Sequence, residues 1–169
     1  MRRTVLTYGL ISGILSAVMM LATLPFLEEM GGSKGYIVGY TAILAAAMLI
    51  FFGIRSYREN VGNGKITFGR GFAVGILICL ISCAFYVATW QTLYFGVMPE
   101  LGDKLEASMV EQAKAGASTP AEAAAAVQHA HDMKRQLDNP AISTAFVFLE
   151  PFPVGLLVTL ISAAILRKR

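Results

Sequence analysis

Charge is what this sequence has least of. Aspartate, glutamate, lysine and arginine make up 15% of its 169 residues, against 56% hydrophobic. An average soluble domain carries about a quarter charged residues. Cysteine is rarer still, with only Cys79 and Cys83. Four apart on one helix they share a face, but a helix turn does not offer disulfide geometry. The pair reads as small packing residues and excludes a disulfide framework. Histidine occurs twice, as His129 and His131. Residues two apart on a helix point about 200° from each other, so they do not hold one metal together, and Asp132 adds only a second ligand to His129. They read as a solvated face. No Ser-His-Asp set, paired carboxylates or metal-spaced cluster falls near a surface. The chain is therefore expected to be no enzyme, with no catalytic, metal or cofactor-binding residues and no cofactor.

What is abundant is apolar and comes in blocks. A hydrocarbon core of about 30 Å needs about 20 helical residues to cross it. Thr4–Leu27, Tyr36–Ile54 and Phe72–Phe95 carry no charge at all, and Ile142–Leu166 carries one, Glu150. The pattern predicts an all-α integral membrane protein: a single domain over 1–169 with four transmembrane helices, about 4–27, 36–54, 72–95 and 142–166. Arg2 and Arg3 give the first block a basic start, but its apolar run exceeds the usual signal core of about 7–15 residues. It is read as an uncleaved first helix.

The basic residues set an orientation. Arg2, Arg3, Arg55, Arg58, Lys65, Arg70, Arg167, Lys168 and Arg169 fall in short segments that share one side when the N-terminus is inside. Such bias marks the cytoplasmic face, and Glu59 is the only acid among these segments. Both termini are expected in the cytoplasm. Tyr36, Tyr40, Trp90 and Tyr94 then sit toward the outer border, with Tyr8, Tyr57 and Phe68 toward the inner one, levels that amphipathic rings prefer.

Glu28–Gly35 reads as a short outer turn. The inner loop, Arg55–Gly71, has an Asn63-Gly64 turn signal, and Thr67 is a candidate cap for the third helix. Its Gly-Asn-Gly-Lys lacks the spacing of a phosphate loop. The basic loop residues Arg55, Arg58, Lys65 and Arg70 read as topology determinants that contact anionic lipid headgroups, with a cytoplasmic protein as the alternative. Residues 96–141 form the one sizeable polar insertion, between the third and fourth spans. Leu101, Leu105 and Met109 recur at helical spacing up to Gly116. Thr119-Pro120-Ala121-Glu122 then reads as a capping box with proline at the first helical position. Ala123, Val127, Ala130 and Leu137 continue an apolar face until Asn139-Pro140 stops it. An outer-face helical hairpin follows.

Inside the spans, small residues form stripes: Gly9, Gly13 and Ala17; Ala42 and Ala46; Gly71, Gly75 and Cys79; Gly155, Thr159 and Ala163. Such stripes allow close helix approach in lipid. They are read first as packing within the bundle, with homodimerisation as the alternative. Glu150 is the one ionisable residue in a span, which makes it a candidate functional site. Pro151 and Pro153 follow it and free backbone carbonyls, so Glu150, Pro151 and Pro153 form a candidate intramembrane polar site. A hydrated kink at the interface is favoured over a proton or cation site.

Four stretches carry a resemblance to a known family: YGLISG at Tyr8–Gly13, FFGIRSYRE at Phe51–Glu59, NGKITFGRGFAVG at Asn63–Gly75, and the C-terminal stretch from Asp138. Together they resemble the bacterial membrane protein family named domain of unknown function 4199. The resemblance implies a four-helix inner-membrane protein with an outer loop. It implies no activity and no catalytic or binding residues. The expected function is a non-enzymatic accessory or interaction protein of the bacterial inner membrane. Its expected partners are the lipid bilayer and either a second copy or a membrane protein met through the outer hairpin, and no nucleic acid. The alternative is a small oligomeric transporter or ion-coupled carrier using Glu150.

Overall fold

The structure is a computed structural model that describes residues 1–23 and 33–168, with side chains described for all of these except 33–36. Of the expected turn Glu28–Gly35, residues 28–32 lie outside the described residues, and the rest open a helix. The chain runs through α1 (Arg2–Thr23), α2 (Ser33–Asn60), α3 (Phe68–Thr92), a π-helical turn (Leu93–Val97), α4 (Leu101–Gly116), α5 (Pro120–Leu137), α6 (Pro140–Leu149) and α7 (Pro151–Leu166). Among the described residues four helical stretches are long and apolar enough to cross a membrane: Arg2–Thr23, Ile37–Asn60, Phe68–Val97 and Pro140–Leu166.

The helix borders differ from the hydropathy borders for local reasons. α2 runs past residue 54 to Asn60 because its polar end is a good helix in itself. Arg55 Nε reaches Glu59 Oε1 at 3.0 Å one turn on, and Asn60 Nδ2 donates back to Ser56 O at 3.0 Å. The helix stops at a tight turn in which Asn63 (φ 49°) and Gly64 (φ 81°) both lie in the left-handed region. The turn is closed by Lys65 N donating to Gly62 O at 2.9 Å. Two consecutive positive φ values suit the Asn-Gly pair. Thr67 then caps α3, its Oγ1 accepting from Arg70 N at 3.4 Å, so α3 starts four residues before residue 72. At its other end α3 loosens into the π turn, where Met98 N donates to Leu93 O at 2.8 Å. The fourth stretch begins at Pro140 because Asn139 Oδ1 accepts from Ala141 N and Ile142 N, at 3.0 and 3.3 Å.

α1, α2, α7 and α3 pack side by side in that order around a closed ring, and α2 also meets α3 across the middle. Among the described residues α1 and α7 do not touch. Glycines set the close approaches. A Cβ on Gly9 or Gly13 would strike Ile81 or Phe85 of α3, one on Gly75 would strike Thr159 of α7, and one on Gly71 would lie close against Ala163 of α7, at 3.3 Å. One on Gly155 would strike Cys79. The small-residue stripes thus face neighbouring helices of the same chain. Ile50, Ile54, Val74, Ile78 and Cys79 fill the centre and are almost wholly buried.

One end of the bundle is basic. The N-terminus, the turn after α2 and the end of α7 meet there, and Ile66 bridges Lys168 through Ile66 N to Lys168 O at 2.9 Å and Lys168 N to Ile66 O at 3.0 Å. At the far end α4 and α5 lie antiparallel to each other, cross-linked by His131 with Glu106 and by Lys134 with Asp103. Thr119 Oγ1 accepts from Glu122 N at 3.2 Å and Glu122 Oε2 from Ser118 N at 2.9 Å. The reciprocal cap of α5 forms with its return bond one residue earlier than usual.

Candidate functional site: a hydroxyl-lined cavity and a locked far end

Glu150 sits where α6 gives way to α7, with helical dihedrals (φ −70°, ψ −58°). Proline has no N–H, so Pro151 and Pro153 leave the carbonyls of Val147 and Leu149 without their usual helical donors. The helical hydrogen bonding is therefore interrupted at this junction. The Glu150 carboxylate is not isolated: Tyr86 Oη of α3 donates to its Oε2 at 2.9 Å. The two prolines part company, since Pro151 lines the bundle interior and Pro153 is exposed.

The interior next to Pro151 holds a cavity of about 70 Å³. Four helices build it: Ser12, Ser16 and Thr23 from α1; Gly39, Ala46 and Ile50 from α2; Cys79, Ser82, Cys83 and Tyr86 from α3; Pro151 and Gly155 from α7. A water needs about 10–15 Å³ by this measure, so the space holds a few small species. Its floor is polar. Ser12 Oγ lies 3.0 Å from both Ala46 O and Ser82 Oγ, and Ser16 Oγ donates to Ser12 O at 2.9 Å and lies 3.3 Å from Ser82 Oγ. Cys79 and Cys83 are free thiols on the same wall, their sulfurs 4.0 Å apart.

Sequence reasoning found Glu150 and Pro151 and missed the hydroxyl groups of Ser12, Ser16, Ser82 and Tyr86. The signal was present: Ser12 with Ser16, and Ser82 with Tyr86, each put two polar groups one turn apart on one face of an apolar helix. Serine and tyrosine carry no charge, so counting charge passes over them.

The far end is locked by a second set of contacts. Leu93, Tyr94 and Leu101 are buried together, with Met20, Trp90, Met98, Leu105 and Leu137 packed on them. Tyr94 Oη donates to Asp138 Oδ1 at 2.8 Å, and Lys134 Nζ reaches Asp138 Oδ2 at 3.0 Å and Asp103 Oδ1 at 3.3 Å. Trp90 Nε1 donates to Ser143 Oγ at 3.1 Å and Gln91 Nε2 to Thr144 Oγ1 at 2.7 Å, tying α3 to α6. Burial of the Asp138 carboxyl works against its charge. The hydrogen bonds from Tyr94 and Lys134, with the charge on Lys134, outweigh it and hold the carboxyl below its ordinary value. Lys134 is correspondingly raised by Asp138 and Asp103. A depressed carboxylate stabilises the fold above its unfolded pKa of about 3.9 and loses that contribution as pH falls through the lower folded value. We therefore predict that the far end stays docked at neutral pH and loosens only in acid. The fluorescence of Trp90, the single tryptophan, should report this, and Asp138→Asn should remove the acid step. An identical acid transition in that variant would contradict the assignment.

The basic set lies apart from both features. Arg55 and Arg58 share Glu59, at 3.0 and 3.2 Å, while Lys65 and Arg70 are exposed. Arg58 O accepts from Gly64 N at 2.9 Å, and Arg58 Nε is buried without a hydrogen-bond partner among the described residues. His129 is exposed, and among the described residues no three His, Cys, Asp or Glu side chains gather as a metal set.

No curated protein and no solved structure matches the chain. A family model described as "Protein of unknown function (DUF4199)" matches residues 7–168. That match takes in the four long apolar helices except the start of α1, with the Asn63-Gly64 turn, α4, α5 and the Glu150 junction, and the chain belongs to the DUF4199 family.

Proposed function

We propose that the chain is an integral protein of the bacterial inner membrane that crosses it four times, with both termini and the Asn63-Gly64 turn in the cytoplasm. The α4–α5 hairpin then stands on the outer face, where a non-enzymatic accessory protein would present it to another membrane protein. Two distributions support the topology: the basic residues cluster at one end of the bundle, and the acid-rich helices stand at the other. The observation that carries the functional reading is the locked far end. A polar insertion with no docking role has no need of a buried leucine, a stacked aromatic pair and a Tyr94–Asp138–Lys134–Asp103 network to fix its angle. Rigid presentation lowers the ordering cost of binding.

Replacing 101–137 by a glycine-serine linker tests this reading. The shortened chain should still fractionate with the membrane and should lose the membrane proteins that co-purify with the full chain after cross-linking. An unchanged cross-linked set would contradict it. The second reading, an ion-coupled carrier drawing on Glu150, is favoured by one observation: Tyr86 both lines the cavity and donates to Glu150.

A further inference from the structure

We propose that the cavity between α1, α2, α3 and α7 is a binding site for one small monovalent cation, held by the hydroxyl oxygens of Ser12, Ser16 and Ser82. The proposal goes beyond the accessory reading, since binding needs neither a partner nor transport.

The argument is a count of protons against lone pairs. The three serines bring three hydroxyl protons, and the carbonyls of Ala46 and Ser12 bring none. Ser12 and Ser16 each have a backbone carbonyl in donor range, and Ser82 has the other two hydroxyls within 3.3 Å. All three protons are thereby engaged inside the cluster. Each hydroxyl keeps lone pairs, so the cluster offers acceptors and no free donor. Tyr86 follows the same rule, because its proton goes to Glu150 and its remaining lone pair is all it can offer the cavity. Apart from the weakly donating Cys79 and Cys83 thiols, the polar part of the wall offers acceptors, which repel anions and suit a cation or a full set of donors.

Size and charge narrow the ligand. About 70 Å³ excludes an organic solute of any bulk. Oxygen donors select a hard cation over a soft one, which leaves the Cys79 and Cys83 thiols as bystanders. A divalent ion would call for carboxylates in direct contact. Here Glu150 is one hydroxyl removed, linked to the cavity through Tyr86. Among the described residues no lysine, arginine or histidine lines the space to compete. Sodium is the probe that fits.

The two cysteines supply the readout, being the only ones in the chain and both buried. A thiol-reactive fluorogenic dye therefore reports unfolding of the purified full-length protein in detergent. Sodium chloride should raise the unfolding midpoint over choline chloride at equal ionic strength, by about 4 °C at about ten times Kd. Ser82→Ala should unfold at the same temperature in both salts, and Ser16→Ala should repeat that result, which guards against one variant failing to fold. Equal midpoints for the wild type in sodium and choline would overturn the proposal. So would a full sodium shift retained by both variants.

Discussion

Gly75→Leu should leave no folded protein to purify, whereas Gly69→Ala, six residues earlier on the same helix, should be neutral or slightly stabilising. At Gly75 even a Cβ would lie 2.7 Å from Thr159 Cγ2 and 2.9 Å from Ile54 Cδ1. Both neighbours are fully buried, so neither can swing into open space. Overpacking a filled core costs about 1–3 kcal/mol when neighbours can shift, and occasionally more. A leucine here must drive α3 from α7 and α2 at once, and the expected loss is about 4 kcal/mol or more. Native stability is about 5–15 kcal/mol in total, so such a loss is decisive. Gly69 has nothing within 4 Å of its Cβ position, and alanine there gains about 1 kcal/mol of helix propensity at most. Yield and the unfolding midpoint of each variant in detergent check the pair. A Gly75→Leu protein as stable as the wild type would show that α3 does not pack against α7 as described.

That contrast also explains why packing outranks the polar contacts in holding the bundle. Interhelical hydrogen bonds within membrane bundles average about 0.6 kcal/mol. The Trp90–Ser143 and Ser12–Ala46 bonds therefore orient helices more than they join them. The close approaches at Gly9, Gly13, Gly71, Gly75 and Gly155 bring whole helix faces into van der Waals contact.

Much of the architecture is legible in the residues because hydropathy, caps and turns are local. The long apolar runs, the Asn63-Gly64 turn, the Thr67 cap, the Thr119-Pro120 start of α5 and the Asn139-Pro140 stop each depend on neighbours within a few positions. Helix ends were less legible. Hydropathy changes at residue 54, but the helix carries on to Asn60 because charged and polar residues one turn apart support it. The π turn at Leu93–Val97 has no local signal in the sequence, and it lies where Leu93 and Tyr94 are buried with Leu101. The candidate site was half legible. Glu150 stands out as a charge among apolar residues, but its partner Tyr86 is 64 positions away, and only the assembled helices bring them together. The serine cluster likewise joins Ser12 to Ala46 and Ser82 across three helices. His131 shows the reverse case: read as a solvated residue, it is exposed yet pairs with Glu106 across α4 and α5.

The four-span arrangement proposed above, with both termini in the cytoplasm, has an all-or-none signature. Single cysteines placed in a cysteine-free background (Cys79→Ser, Cys83→Ser) can be tested in intact cells with a membrane-impermeant maleimide. Positions Gly116 and Ser118, between α4 and α5, should label fully without opening the cells. Gly64 in the turn after α2 and Lys168 at the C-terminal end should label only once the membrane is permeabilised. Labelling of Lys168→Cys or Gly64→Cys in intact cells, or protection of the 116 and 118 positions, would contradict the account.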